Sequence, residues 1–126
     1  MPALPEFIAF LIEQMRGWAP VSAKRMFGGY GIFRDGLMFA LVADDTLYFK
    51  ADGESRVAFE EEGLSPFSYG TAGGKRVVMA YWRAPERCLE EPDEMAQWCQ
   101  RAFGAALRSP AGTKKKGGRS RPKSKR

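Results

Sequence analysis

The 126-residue chain contains no histidine. That absence removes Ser–His and Cys–His dyads, the side chain best suited to acid–base work near neutral pH, and the commonest zinc ligand. Cysteine is nearly absent too. Cys88 and Cys99 are too few for a disulfide framework and lack metal-site spacing. Cys99 falls on an apolar helical stripe and reads as a packed small hydrophobe, while Cys88 is expected in a surface turn. Reduced thiols and a cytoplasmic location are the simplest expectation. No apolar run approaches the roughly 18 to 20 residues of a membrane span, and Met1-Pro2-Ala3-Leu4-Pro5-Glu6 has no basic segment of a secretory signal. The carboxylates of Glu60-Glu61-Glu62 and Glu90-Glu91 come in runs, which read as solvated surface rather than a placed acid–base pair. An enzyme is not expected, and no cofactor or metal is implied.

Acid is missing from one segment altogether. Residues 109–126 carry Lys114, Lys115, Lys116, Arg119, Arg121, Lys123, Lys125 and Arg126 with no carboxylate, so residues 1–108 hold twelve basic and fifteen acidic side chains. The net charge of +5 therefore belongs to the tail, and the rest of the chain is mildly acidic at −3. After Ser109-Pro110 no apolar residue follows Ala111. Such a segment buries too little surface to offset its ordering entropy, so 109–126 is expected to be a disordered basic tail following a domain over 1–108.

What is present in residues 1–108 is periodic. Pro5 to Gly17 carries Phe7, Ile8, Leu11, Ile12 and Met15 at helical spacing, with Glu6 at the positive end of the helix dipole. From Ala23 to Asp52 the period is two. A first strand would place Met26, Gly28, Tyr30 and Ile32 on one face and Phe27, Gly29, Gly31 and Phe33 on the other. Asp35-Gly36 is a hairpin signal, Leu37–Ala43 a covered strand, Asp44-Asp45 a turn and Thr46–Lys50 a third strand. Asp52 or Ser55 would cap a short helix ending at Gly63. Leu64–Tyr69 is extended, Gly70–Gly74 a loop, and Arg76–Trp82 alternates with Val77, Met79 and Tyr81 opposite Val78, Ala80 and Trp82. A last helix from about Pro92 to Leu107 carries an apolar stripe of Met95, Trp98, Cys99, Ala102, Phe103 and Ala106. The order α-β-β-β-α-β-β-α predicts an α+β domain of two layers, one antiparallel sheet with helices packed on it.

The stretch Lys24-Arg25-Met26-Phe27-Gly28-Gly29-Tyr30-Gly31 poses the chemical question. A phosphate-binding glycine loop must open a helix whose N-terminus faces the anion. Here more strand follows, and the lysine–serine pair of a P-loop is absent. The glycines read as a device for close backbone packing, with Lys24 and Arg25 beside them as a candidate anion contact. The eight tail cations are the candidate nucleic-acid-binding residues, since a flexible polycation near a polyanion releases condensed counterions regardless of sequence. A solubilising extension is the plainer reading of the same segment. It has no aromatics and so cannot stack on bases.

Four ordered blocks, Arg25–Phe33, Phe39–Lys50, Pro66–Tyr69 and Met79–Pro85, followed by the Trp98 helix, together resemble the TfoX/Sxy N-terminal domain over roughly residues 5–107. The resemblance implies a bacterial, cytoplasmic regulator-type domain with a fold similar to secretion chaperones. It further implies transcriptional co-activation in competence for DNA uptake, with the cyclic-AMP receptor protein as partner and no catalytic residues. Full-length members carry a second, C-terminal helical domain, so a single-domain member is expected. Two functions compete: a transcription regulator acting through a protein partner with duplex DNA or RNA contacts from the tail, and a chaperone-like adaptor with no nucleic-acid role.

Overall fold

In the computed structural model, which describes residues 4–26 and 28–117, a six-stranded antiparallel sheet carries its helical layer on one of its faces. The elements are α1 (Glu6–Met15), β1 (Ser22–Met26), β2 (Gly29–Arg34), β3 (Leu37–Ala43), β4 (Thr46–Lys50), α2 (Arg56–Glu61), β5 (Pro66–Thr71), β6 (Gly74–Arg83), a 3₁₀ turn (Glu86–Leu89), α3 (Pro92–Arg108) and α4 (Pro110–Gly117). The strand order is β1-β2-β3-β4-β6-β5. The α+β class and the expected alternation of helices and strands hold, with one strand more before α2 and one helix more after α3.

The stretch expected as one first strand is two. Met26 pairs with Gly29 across the reversal, and Gly28 takes φ +77°. This changes the face of Met26, because a strand that turns back puts paired residues on the same side. Two further hairpins are as the sequence predicts. Asp35 and Gly36 stand at φ 53° and 77°, and Asp44 and Asp45 at 51° and 55°, the positive values that a two-residue type I′ turn needs. The Gly70–Gly74 loop is tighter than expected: β5 and β6 pair up to Thr71 and Gly74, leaving two residues at the turn.

Alternation within β6 also departs from expectation. Register between β5 and β6 jumps from Pro66↔Trp82 to Phe67↔Val78. The irregularity is local: Trp82 Nε1 donates to the Met79 carbonyl at 2.9 Å, while the backbone N–H of Ala51 reaches the Ala80 carbonyl at 2.8 Å. Tyr81 and Val78 therefore end on the same side of the sheet, although simple alternation separates them.

On the helix side, Ile32, Ala40, Phe49 and Trp82 form a cross-strand row that is almost wholly buried. The α3 stripe of Met95, Trp98, Cys99, Ala102, Phe103 and Ala106 lies on it, as predicted, and α3 packs on β3 and β4 with α1 beside it. Phe39 is fully buried, its ring edge-on to Trp18 at 5.2 Å and to Phe103 at 6.2 Å. Arg34 lies over both the Trp18 and Phe103 rings.

Asp52 and Ser55, offered as alternative caps, act together. Asp52 Oδ1 accepts the N–H groups of Glu54 and Ser55 at 3.2 and 2.9 Å, and Ser55 Oγ accepts the Asp52 N–H at 3.0 Å, a reciprocal capping box. Arg108, at the end of α3, donates to both Asp52 oxygens at 2.7 and 3.1 Å. Arg87 similarly bridges Glu62 and Glu94, tying α2, the 3₁₀ turn and α3 together. Glu62, expected as plain solvated surface, is thus engaged.

The expected loss of order from residue 109 differs from the structure over Pro110–Gly117, which form α4 against α3. Ser109 and Pro110 are the reason. A serine before a proline reads as a break, yet it also supplies a helix cap followed by a first-turn proline. Ser109 Oγ accepts the Gly112 N–H at 3.4 Å, and the Ser109 carbonyl accepts the Thr113 N–H at 2.9 Å.

Candidate binding surface on the open face of the sheet

The helices that pack on the sheet, α1, α2 and α3, lie on one side, and among the described residues the opposite face has no covering layer. Strand pairing assigns its occupants. Lys24 and Gly31 pair and share a side. A Cβ on Gly31 would meet Met38 Sδ at 2.9 Å and Met26 Cε and Phe33 Cε1 at 3.1 Å each, which puts those side chains on that side as well. Leu41 pairs with both Gly31 and Tyr48, and Tyr48 with Arg83. Past the β6 irregularity, Phe67 pairs with Val78 and Tyr69 with Arg76.

Among them Met26, Met38, Leu41, Phe67, Tyr69 and Val78 line a concave groove of about 510 Å³, within the roughly 300–1,000 Å³ of ordinary ligand clefts. One flank is Met26, Met38, Leu41 and Ala43 from β1 and β3; the other is Phe67, Tyr69, Val78 and Tyr81 from β5 and β6. Tyr48 and Phe67 meet edge-to-face at 4.8 Å, and Phe67 stacks on Tyr69 at 6.0 Å. Tyr69 is 47% exposed. Lys50 Nζ sits 5.2 Å from the centre of the Tyr81 ring. Burial pulls the Lys50 ammonium below its ordinary pKa against the opposing charge of Asp52, and burial pushes the Tyr81 hydroxyl up to about 12.

Charge is divided between the two sides. No residue of the six strands is acidic, and all fifteen carboxylates of the chain fall in helices, turns and connections. The cations Lys24, Lys50, Arg76 and Arg83 face the open side. The sequence-wide balance of −3 for residues 1–108 concealed this. The signal was available as charge per strand, but Arg76 could not be assigned a face without the β6 register shift.

Of the residues singled out from sequence, Lys24 lies on this face. Lys24 and Arg25 are consecutive in β1 and point to opposite faces, so they do not form one anion contact. Gly29 and Gly31 serve close packing: a Cβ on Gly29 would run into the carbonyl oxygen of Val42. Lys114, Lys115 and Lys116 lie in α4, with side chains outside the described residues. Arg119, Arg121, Lys123, Lys125 and Arg126 lie outside the described residues. Cys88, expected in a surface turn, does not lie at the surface. The 3₁₀ turn directs it inward, fully buried, and Gln14 Nε2 anchors that turn by donating to the Cys88 and Leu89 carbonyls at 3.1 and 3.2 Å. Burial raises the Cys88 thiol to about 12 and pushes Cys99 well above the usual thiol range. Among the described residues no helix is long and apolar enough to cross a membrane, and no three His, Cys, Asp or Glu side chains are grouped to hold a metal.

The family model for the TfoX N-terminal domain matches residues 13–106, from within α1 through all six strands to the last turn of α3. The chain belongs to this family. The four blocks that carried the resemblance, including Arg25–Phe33, all lie inside the match to the TfoX domain. The DNA transformation protein TfoX1 of Aliivibrio fischeri is 44% identical over 46 residues, 36% of this chain and 22% of that protein. The DNA transformation protein TfoX of Haemophilus influenzae is 28% identical over 83 residues, 65% of this chain and 37% of that protein. The chain thus spans well under half the length of either relative. The α4 segment and the tail cations fall outside the TfoX match.

Proposed function

We propose that this TfoX domain is a regulatory binding module that acts on transcription through a protein partner seated on the open sheet face, while the cations that follow α3 make non-specific contacts with nucleic acid. The observation that carries the reading is the apolar groove left uncovered by the helix layer. A soluble domain seldom leaves such a surface bare without a partner for it. Membership in the TfoX family and the names of the two transformation proteins support a role in competence. The family resemblance makes the cyclic-AMP receptor protein the partner to try first. The apolar lining supports a second reading equally, a chaperone-like adaptor without a nucleic-acid role.

Fluorescence anisotropy on duplex DNA over a salt series separates them. The full chain is compared with a variant in which Lys114, Lys115, Lys116, Arg119, Arg121, Lys123, Lys125 and Arg126 are glutamine. With all eight cations engaged, log K is expected to fall against log salt with a slope of up to roughly −7, at about 0.9 per contact, and the variant is expected to bind little. Adding the cyclic-AMP receptor protein with its nucleotide is expected to give a ternary complex that Leu41→Glu abolishes. No binding by the full chain at low salt removes the nucleic-acid contact and leaves the adaptor. A ternary complex indifferent to Leu41→Glu removes the groove.

A further inference from the structure

Resting on that reading of the open face, we infer that the groove takes an amphipathic helix whose apolar stripe is flanked by acidic residues. Three observations lead there. First, the lining is apolar and has methionine on one flank, Met26 and Met38. Methionine is unbranched and polarizable, and it adapts to varied apolar side chains. Gly31 lies beneath those side chains and contributes no Cβ of its own.

Second, the dimensions fit a helix. The flank on β3 and the flank on β6 are separated by β4 alone. Two strand spacings of roughly 4.8 Å put the flanks about 10 Å apart, close to the 10–12 Å diameter of an α-helix. A helix lays residues i, i+3, i+4 and i+7 into such a groove.

Third, the rim selects charge. Lys24, Lys50, Arg76 and Arg83 face this side, and no strand residue is acidic. A helix with carboxylates beside its stripe meets cations at both flanks, while a basic helix meets like charge.

Single-stranded nucleic acid fits less well. Stacking needs free ring faces, yet Lys50 lies over Tyr81 and Phe67 is engaged by both Tyr48 and Tyr69. A second copy also fits less well. The apolar stripe of α3 is spent in its own core, and the outer side of α1 offers one exposed aromatic, Phe10, between Glu6 and Glu13.

The test uses the full chain with its methionine methyl groups carbon-13 labelled. Met26 and Met38 report on the groove, and the fully buried Met15 and Met95 serve as internal controls. The probes are synthetic peptides about five helical turns long with leucine at helical spacing and glutamate, glutamine or lysine elsewhere, together with an oligothymidylate. The glutamate peptide is expected to move the Met26 and Met38 methyl resonances, leave Met15 and Met95 in place, and bind at least tenfold more tightly than the lysine peptide. The double substitution Lys24→Glu, Arg76→Glu, at two exposed strand positions, is expected to reverse that order. Equal binding of the glutamate and glutamine peptides at the same methyls overturns the charge selection and leaves the face a partner surface. Silence of Met26 and Met38 with all three peptides overturns both readings. Oligothymidylate moving those two methyls more strongly than any peptide identifies a nucleic-acid platform instead. Concentration-dependent shifts without any probe, with sedimentation as a dimer, identify a second copy.

Discussion

Alanine at Gly29 and alanine at Gly31 should have opposite outcomes, although the two glycines are two residues apart on one strand. At Gly29 the new Cβ would run into the Val42 carbonyl oxygen, with the carbonyl carbon only 3.2 Å away. That atom belongs to the backbone of β3, so relief requires β2 and β3 to separate. Overpacking of this kind costs about 1–3 kcal/mol, and a backbone obstacle puts Gly29→Ala at the upper end. At Gly31 the obstacles are Met38 Sδ at 2.9 Å and the ends of Met26 and Phe33 at 3.1 Å. All three belong to side chains on the groove side rather than to backbone, two of them to flexible methionines, so shifts of a few tenths of an ångström relieve the contacts. The strain is then largely offset by the roughly 0.5–1 kcal/mol by which alanine outperforms glycine within a strand. Gly31→Ala should therefore stay within about 1 kcal/mol of the parent in urea unfolding, while Gly29→Ala loses about 2–3 kcal/mol. The displaced methionine ends should show as shifted Met26 and Met38 methyl resonances in Gly31→Ala. Equal destabilisation by the two variants, or a larger loss at Gly31, would refute the assignment of these glycines to two different kinds of contact.

Asp52→Asn keeps an oxygen for the capping N–H groups but loses the charge that faces Arg108, a pair whose arginine is 43% exposed; about 0.5–1 kcal/mol should go, and Asp52→Ala should cost about 1 kcal/mol more by removing the cap. The Arg108 guanidinium holds the Asp52 carboxyl below the usual carboxylate range. The ionic contribution is therefore complete above about pH 4, the ordinary aspartate value, and fades as pH falls below it. The gap between parent and Asp52→Asn in denaturant midpoints should shrink from pH 7 to pH 3, and a constant gap would count against the pair. Cys88 and Cys99 should react with a disulfide reagent at pH 8 only at the rate of unfolding, since both are buried and both thiols are held well above that pH; prompt reaction of either in native buffer would contradict their placement.

Much of the fold was legible because two periods dominate it. The α3 stripe and the aspartate-bearing hairpins needed no tertiary information, since helical spacing and two-residue turns are local. What escaped was set by register. Met26 could be given its face only once the chain was known to turn back before Gly29, and Tyr81 and Val78 could be put together only through the jump in β6 pairing. Cys88 looked superficial because a proline-bracketed segment is short and polar, yet a 3₁₀ turn can bury one side chain while exposing its neighbours. The binding surface was hidden for a related reason. A sheet face is assembled from residues distant in sequence, and its charge emerges only when strands are tallied apart from helices.

The separation of the two faces has an optical consequence. Trp82 and Trp98 are nearly inaccessible and bracket Phe59, and Trp18 abuts Phe39 and Phe103, so all three indoles sit between sheet and helices. Three of the four tyrosines, Tyr48, Tyr69 and Tyr81, belong to the other side. Indole emission therefore chiefly follows the integrity of the layer interface, whereas phenol absorbance chiefly reads the groove. A single sample thus carries two spectroscopic channels, one weighted to folding and one to occupancy.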